Sequence, residues 1–401
     1  MSEEKVLTKA VAEEIIEDED SDALSEFTKI DDDAAEYLSE NWDELYLDGL
    51  TEISDTAAQN LSKFSEEFHG ISEISLGSLT SINKSVAASL SSFEGRSLSL
   101  DGLTELDDSL AEILSQCQCS VLSLSGLLTL DENVAKRLSQ FKSSVDSTGL
   151  ILDGLSELSP KVLDKLCRYN GDYLSLSGLT GLSDSLAESL SHFRSNSLIL
   201  SGISDLSKSA VENLSNFRGE SIEFGGFEEL SESLAGSLSQ FKAEGLVLDS
   251  VTELSGAASA NLSDYSGDLN LDGLNVLSSA SAEGLSGHKG NLSLNGLSEL
   301  SDESAEALSK HQGKELKLNG LSHISDSASN SLSKYQGESL VLGGLIELSD
   351  AAAESLSNYS GEIHNWMISE LSENAAKAFA KKTPDSLNLG YELEEQIAAY
   401  R

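Results

Sequence analysis

Three sets of residues have types and spacings that could do chemistry. His288 and His311, 23 residues apart, would form an acid–base or metal-binding dyad if the fold brought their rings together. Cys117 and Cys119 form a C-x-C thiol pair, but zinc needs four ligands and no second pair lies nearby in sequence. Asp48, Asp101, Asp153, Asp249 and Asp272, with Asn295 and Asn319, recur as a row of oxygen donors that would suit divalent cations or a basic partner. Nucleophile elbows, phosphate loops, zinc-helix motifs and calcium loops are absent.

The secondary structure that holds these residues is repetitive, and the repeat decides what each set can do. From Leu45 the chain restarts the same pattern at Ile74, Leu98, Leu122, Leu150, Leu174, Leu198, Ile222, Leu246, Leu269, Leu292, Leu316, Leu340 and Ile363, giving 14 repeats, most of 24 residues. Positions 1 and 3 of the repeat are apolar, broken only by Asn365, which predicts a short strand with one buried face. Position 5 is usually Gly, for the bend after the strand. Position 10 is Ser, Asp or Asn in all 14 repeats, the residue types that cap a helix N-terminus. A small or aliphatic pair and a Leu at position 17 mark one face of a helix of about ten residues. An aromatic closes the repeat at position 20. His288, His311 and Cys117 occupy that aromatic position, so they read as packing rather than as a dyad or a thiolate site. The carboxylate row sits at position 4 and is broken by Ser125, Ser177, Ser201, Gly225 and Gly343, too sparse for a calcium ladder.

Each repeat is therefore strand, turn, short helix and loop. One repeat cannot bury its own apolar edges, and stacking repeats shares a core. Crossovers of roughly 20 residues containing a helix make successive strands parallel. Because helices are about 10 Å wide and strands about 4.8 Å apart, the stack is expected to curve with the strands concave and the helices convex.

The pattern LxLxGLxxLSxxxAxxLSxxxG resembles a bacterial variant of the leucine-rich repeat family, over Leu45–Ser386. The resemblance implies a curved α/β solenoid with a parallel sheet on the concave face, short helices on the convex face and helical caps at both ends. The family's Asn after the strand is missing: Leu50, Leu79 and Leu103 stand there. Recurrent Ser at position 18 (Ser62, Ser91, Ser191, Ser239, Ser309) is expected to supply a substitute polar ladder.

Residues 1–44 read as an acidic N-terminal cap, with a helix over residues 1–21 capped by Ser2 and a degenerate first repeat in which Asp31 takes the capping position. Residues 45–386 are the solenoid and residues 387–401 a C-terminal cap. Two repeats are long, with extra residues ending at Glu73 and Gly149; such insertions form loops on one face, often the binding face.

In 401 residues, 69 acidic and 25 basic side chains leave a net charge of −44. Nucleic acid and anionic membrane are poor partners for such a surface. With no signal peptide and no apolar run of about 18 residues, the chain is expected to be cytoplasmic, with signal-independent secretion as the alternative. Three cysteines, an odd number, argue against a disulfide framework.

What the repeat leaves over is position 2, the outward side of each strand. Its distinctive residues are Tyr46, Ile151, Ile199, Glu223, Val247, Lys317 and Val341, and these are the candidate partner-binding residues. The expectation is a non-enzymatic scaffold, without a cofactor, that binds another protein, basic in character, on its concave sheet. The competing class is a structural spacer or assembly component.

Overall fold

The computed structural model describes residues 4–42, 44–63, 73–142 and 147–401. The extra residues of both long repeats, 64–72 and 143–146, lie outside the described residues, as does Ser2. The chain divides into two compact bodies, residues 1–202 and 203–401.

The N-terminal body opens with a strand where the sequence pattern suggests helix. Val6–Leu7 (β1) pairs in parallel with Lys29–Ile30 (β2). The first helix starts only at Lys9, with Thr8 at its N-cap position. The cause lies 23 residues away: the Lys5 carbonyl accepts the N–H groups of Thr28 and Lys29, which holds residues 5–7 extended. The second helix, Asp32–Asn41, begins as expected, with Asp31 accepting the Ala34 N–H at 2.7 Å.

The remaining strands of this body are Glu44–Tyr46, Glu73–Ser75, Ser97–Ser99, Val121–Ser123, Gly149–Ile151, Tyr173–Ser175 and Ser197–Ile199 (β3–β9). All pair in parallel with their sequence neighbours, position 1 against position 1, from Leu45↔Ile74 to Leu174↔Leu198. The C-terminal body continues with Ser221–Glu223, Gly245–Val247, Asp268–Asn270, Leu292–Ser293, Glu315–Lys317, Ser339–Val341, Glu362–His364 and Leu387–Asn388 (β10–β17), paired the same way from Ile222↔Leu246 to Ile363↔Leu387. Most strands begin one residue earlier than the apolar alternation suggests. The alternation reports burial, whereas the ladder depends on backbone pairing.

Leucines at positions 1, 3 and 6 form the core; Leu174, Leu176 and Leu179 are at most 1% exposed. Most repeat helices are seven residues long, shorter than the ten or so expected, as in Asp184–Leu190. They end at the position 17 leucine, and the position 20 aromatic packs from the turn beyond. The position 5 glycines serve close approach between repeats: a Cβ on Gly126 would stand 1.9 Å from the Asp101 carbonyl oxygen of the preceding repeat.

Every position 10 side chain caps its helix by accepting a backbone N–H. Several also reach across repeats: Ser325 accepts from the Ala328 N–H at 2.9 Å and donates to Asp302 of the repeat before. The position 18 serines do not form the expected ladder. Ser62, Ser191, Ser239 and Ser309 bond back to carbonyls three residues earlier in their own helices; of the five, only Ser91 reaches a neighbouring repeat, at Ile113. A serine at the end of a seven-residue helix finds the unpaired carbonyls of its own last turn nearest. Replacing Ser325 by Ala is therefore expected to cost about 1–2 kcal/mol and Ser309→Ala less than about 0.5 kcal/mol, read from urea midpoints. Equal costs would contradict this division of roles.

Candidate functional site

The outward face of the strands is built from positions 0, 2 and 4, since alternate side chains of a strand share a face. Position 4 supplies the ladder that the missing Asn and the position 18 serines do not. Asp48 Oδ1 accepts from Ser75 Oγ at 2.5 Å and from the Gly77 N–H at 2.8 Å. Asp101 Oδ1 accepts from Ser123 Oγ and the Ser125 N–H, each at 2.6 Å. Asp153 binds Ser175 and Ser177 in the same way. In the C-terminal body Asp272 takes Ser293 Oγ and the Asn295 N–H, then Asn295 Oδ1 accepts from the Asn319 N–H and Asn319 Oδ1 from the Gly343 N–H. Ser125, Ser177 and Gly343, which break the row in sequence, are thus donors to it. This row ties one repeat to the next.

In the N-terminal body, Tyr46, Ile151 and Ile199 lie half-buried on β3, β7 and β9, separated by strands bearing serine. The Tyr46 hydroxyl donates to Glu44 Oε2 at 3.1 Å. Partial burial, followed by the Glu44 carboxylate, pushes its pKa up. The aliphatics expected to be exposed are only partly so, because neighbouring strands about 4.8 Å apart crowd one another's side chains.

In the C-terminal body, Glu223 and Val247 are side by side on β10 and β11, and Lys317 and Val341 on β14 and β15. Val341 is buried, at 4% exposure, which sequence reasoning missed. Between these pairs the face sinks into a basin of about 270 Å³. Val247, Asn270, Ser293 and Lys317 line its floor, and Asp268, Asn291, Asp272 and Asn295 its two sides. The carboxylates are held in place: Asp268 accepts both the N–H and the side-chain amide of Asn291, at 2.9 and 3.0 Å. Lys317 Nζ is tied to Glu315 Oε2 at 3.0 Å. Beyond the basin Trp366, 54% exposed, occupies position 4 of the last full repeat, in the space that Gly343 leaves open.

The residues that looked catalytic lie elsewhere, inside the core. Tyr265, His288, His311, Tyr335 and Tyr359 stack with ring centroids 6.3, 5.9, 5.8 and 5.9 Å apart. Each tyrosine hydroxyl donates at 2.8 Å to a carbonyl of the preceding repeat, at Ala243, Gly313 and Gly337. Lys382, at position 20 of the last full repeat, ends the column: its Nζ donates to the Tyr359 and Gly361 carbonyls at 2.6 and 3.0 Å and lies 5.6 Å from the Tyr359 ring centre. Cys117 and Cys119 are fully buried packing groups. Among the described residues no cluster of three or more His, Cys, Asp or Glu is arranged to hold a metal ion, and no helix is long and apolar enough to cross a membrane.

No family model and no curated protein matches this chain. Solved structures similar to it include an internalin, InlF, of Listeria monocytogenes, at 16% identity over 83% of this chain and 92% of that one, with a TM-score of 0.41. The leucine-rich repeat-containing protein LegL7 of Legionella pneumophila shares 17% identity over 62% of this chain and 93% of its own, with a TM-score of 0.45. One chain of the structure of the yeast Rad7 and Elc1 complex gives 14% identity over 95% of this chain and 92% of that one, with a TM-score of 0.37. The architecture is that of a leucine-rich repeat solenoid, carried by this chain's own strand–turn–helix repeats and their parallel, position-for-position pairing.

Proposed function

We propose that this leucine-rich repeat solenoid is a non-catalytic scaffold whose concave sheet face binds another protein, basic in character. The observation that supports this best is the charge of the outward face in the C-terminal body. Glu223, Asp249, Asp268, Asp272, Glu315 and Glu362 line it, and its one lysine in these strands, Lys317, is tied to Glu315. Complementary charge speeds encounter with a basic surface and fixes register. The basin, with Val247 set in an otherwise polar floor and oriented carboxylates at its sides, suits the stem and head of a Lys or Arg side chain.

The test is affinity capture from lysate on full-length protein, repeated with Val247→Lys and with Asp268→Asn/Asp272→Asn. Partner retention is expected to fall at least tenfold in both variants and to be unchanged in the helix-side control Glu299→Gln/Glu303→Gln. Equal loss in the control would mean diffuse charge attraction and end the sheet-face reading. Absence of any captured partner would favour the spacer class.

A further inference from the structure

His288 and His311 do more than fill the aromatic column, because they fill it incompletely. At the same position Tyr265, Tyr335 and Tyr359 each extend a hydroxyl to position 22 of the repeat before. The equivalent carbonyls for the two histidines belong to Gly267 and Gly290. An imidazole is shorter than a phenol, and all four ring nitrogens of the pair are buried without a hydrogen-bond partner. The residues themselves are 0% and 2% exposed. Their rings stack 5.9 Å apart, so charge on one opposes charge on the other.

We infer that His288 and His311 form an acid-sensitive seam, at which protonation opens the two repeats spanning residues 269–315. A buried imidazolium whose ring nitrogens make no full hydrogen bond is costly, and hydration by local opening relieves it. The groups facing the pair from the packed elements are the Tyr265 and Tyr335 phenols, neutral in this range, and Asp268 at the start of β12. Burial lowers the His288 pKa, outweighing the Asn291 backbone and then the Asp268 carboxylate, which favour its charged form. Burial, then His288 itself, pushes that of His311 down to about 4. Both folded-state values lie below the ordinary one, so the folded chain binds fewer protons than the open chain. The seam is fully closed-favouring above about pH 6.5 and loses that preference as pH falls toward 4. For His311 alone the opening equilibrium rises about 20-fold between pH 7 and pH 5. The same two repeats carry β12 and β13, whose Asn270 and Ser293 floor the basin, so opening would dismantle that part of the sheet face.

Hydrogen exchange on full-length protein at pH 7 and pH 5, corrected for intrinsic rates, tests this. In the wild type, peptides covering Ser279–Leu285 and Asp302–Leu308 are expected to lose at least tenfold in protection at pH 5, while peptides of the N-terminal body do not. His288→Tyr/His311→Tyr and His288→Phe/His311→Phe are expected to abolish the loss. Two non-titrating pairs are used because the tyrosines can meet the Gly267 and Gly290 carbonyls even if the phenylalanines pack poorly. Carboxylate titration is common to all three proteins and cancels in the comparison. Equal protection at both pH values in the wild type would overturn the inference, as would the same acid response in the variants or a loss spread evenly over both bodies.

Discussion

Replacing Asn365 by Leu is expected to destabilise the C-terminal body by about 2–4 kcal/mol, although it would restore the repeat pattern. Asn365 is the single polar residue at positions 1 and 3, and it is 3% exposed. Its Nδ2 donates to the Leu342 and Leu345 carbonyls at 2.6 and 3.0 Å, and its Oδ1 accepts the Ile368 N–H at 2.9 Å. In earlier repeats the position 6 N–H goes instead to the position 3 carbonyl, as from Leu50 to Leu47. The asparagine side chain has taken over that turn, at the end of the stack where Gly gives way to Trp366 and Met367. Leucine would leave the Ile368 N–H and the Leu345 carbonyl buried without this partner, and desolvating such groups costs more than an added methyl group returns. Urea unfolding in a Trp42→Phe background, where the fluorescence comes from Trp366 at this end, would show the loss. An Asn365→Leu variant as stable as the parent would sink the account.

The second large effect concerns the carboxylate ladder of the N-terminal body. Asp101→Ala removes an acceptor for Ser123 Oγ and the Ser125 N–H, and another for Ser99 Oγ at 2.8 Å. Asp153→Ala does the same to Ser175 and Ser177. Each is expected to cost about 1–2 kcal/mol, since Ser123 and Ser175 are buried and their hydroxyls lose their charged partner. The two sites are two repeats apart, about 10 Å, so the double variant should lose close to the sum, about 3 kcal/mol. Asp→Asn at both sites should cost less than half as much, because an amide oxygen still accepts. Relief of charge repulsion pulls the other way: if it dominates, the alanine variants will have higher denaturation midpoints, and the carboxylates will be surface charges rather than ties between repeats.

These effects separate two kinds of information. Residue spacing alone discloses whatever is local to one repeat: the strand–turn–helix order, the buried faces, the capping side chain at position 10, and the demotion of His288, His311 and Cys117 to the aromatic position. Those features depend on spacings of two to four residues and repeat 14 times, so noise averages out. What passes between repeats is settled only by stacking. That Asp101 needs Ser123 and Ser125, that the Lys5 carbonyl holds Val6–Leu7 as a strand and that Asn365 closes a turn depend on contacts between residues about 20–24 apart. Such contacts exist only once equivalent positions come within hydrogen-bond reach, and a single residue's type does not disclose its partner. Position 4 holds a partial signal, since Asp in one repeat is followed by Ser or Gly in the next at Asp48/Gly77, Asp101/Ser125 and Asp153/Ser177. In sequence that alternation is a broken row. Stacked, it is a row of acceptors facing a row of donors.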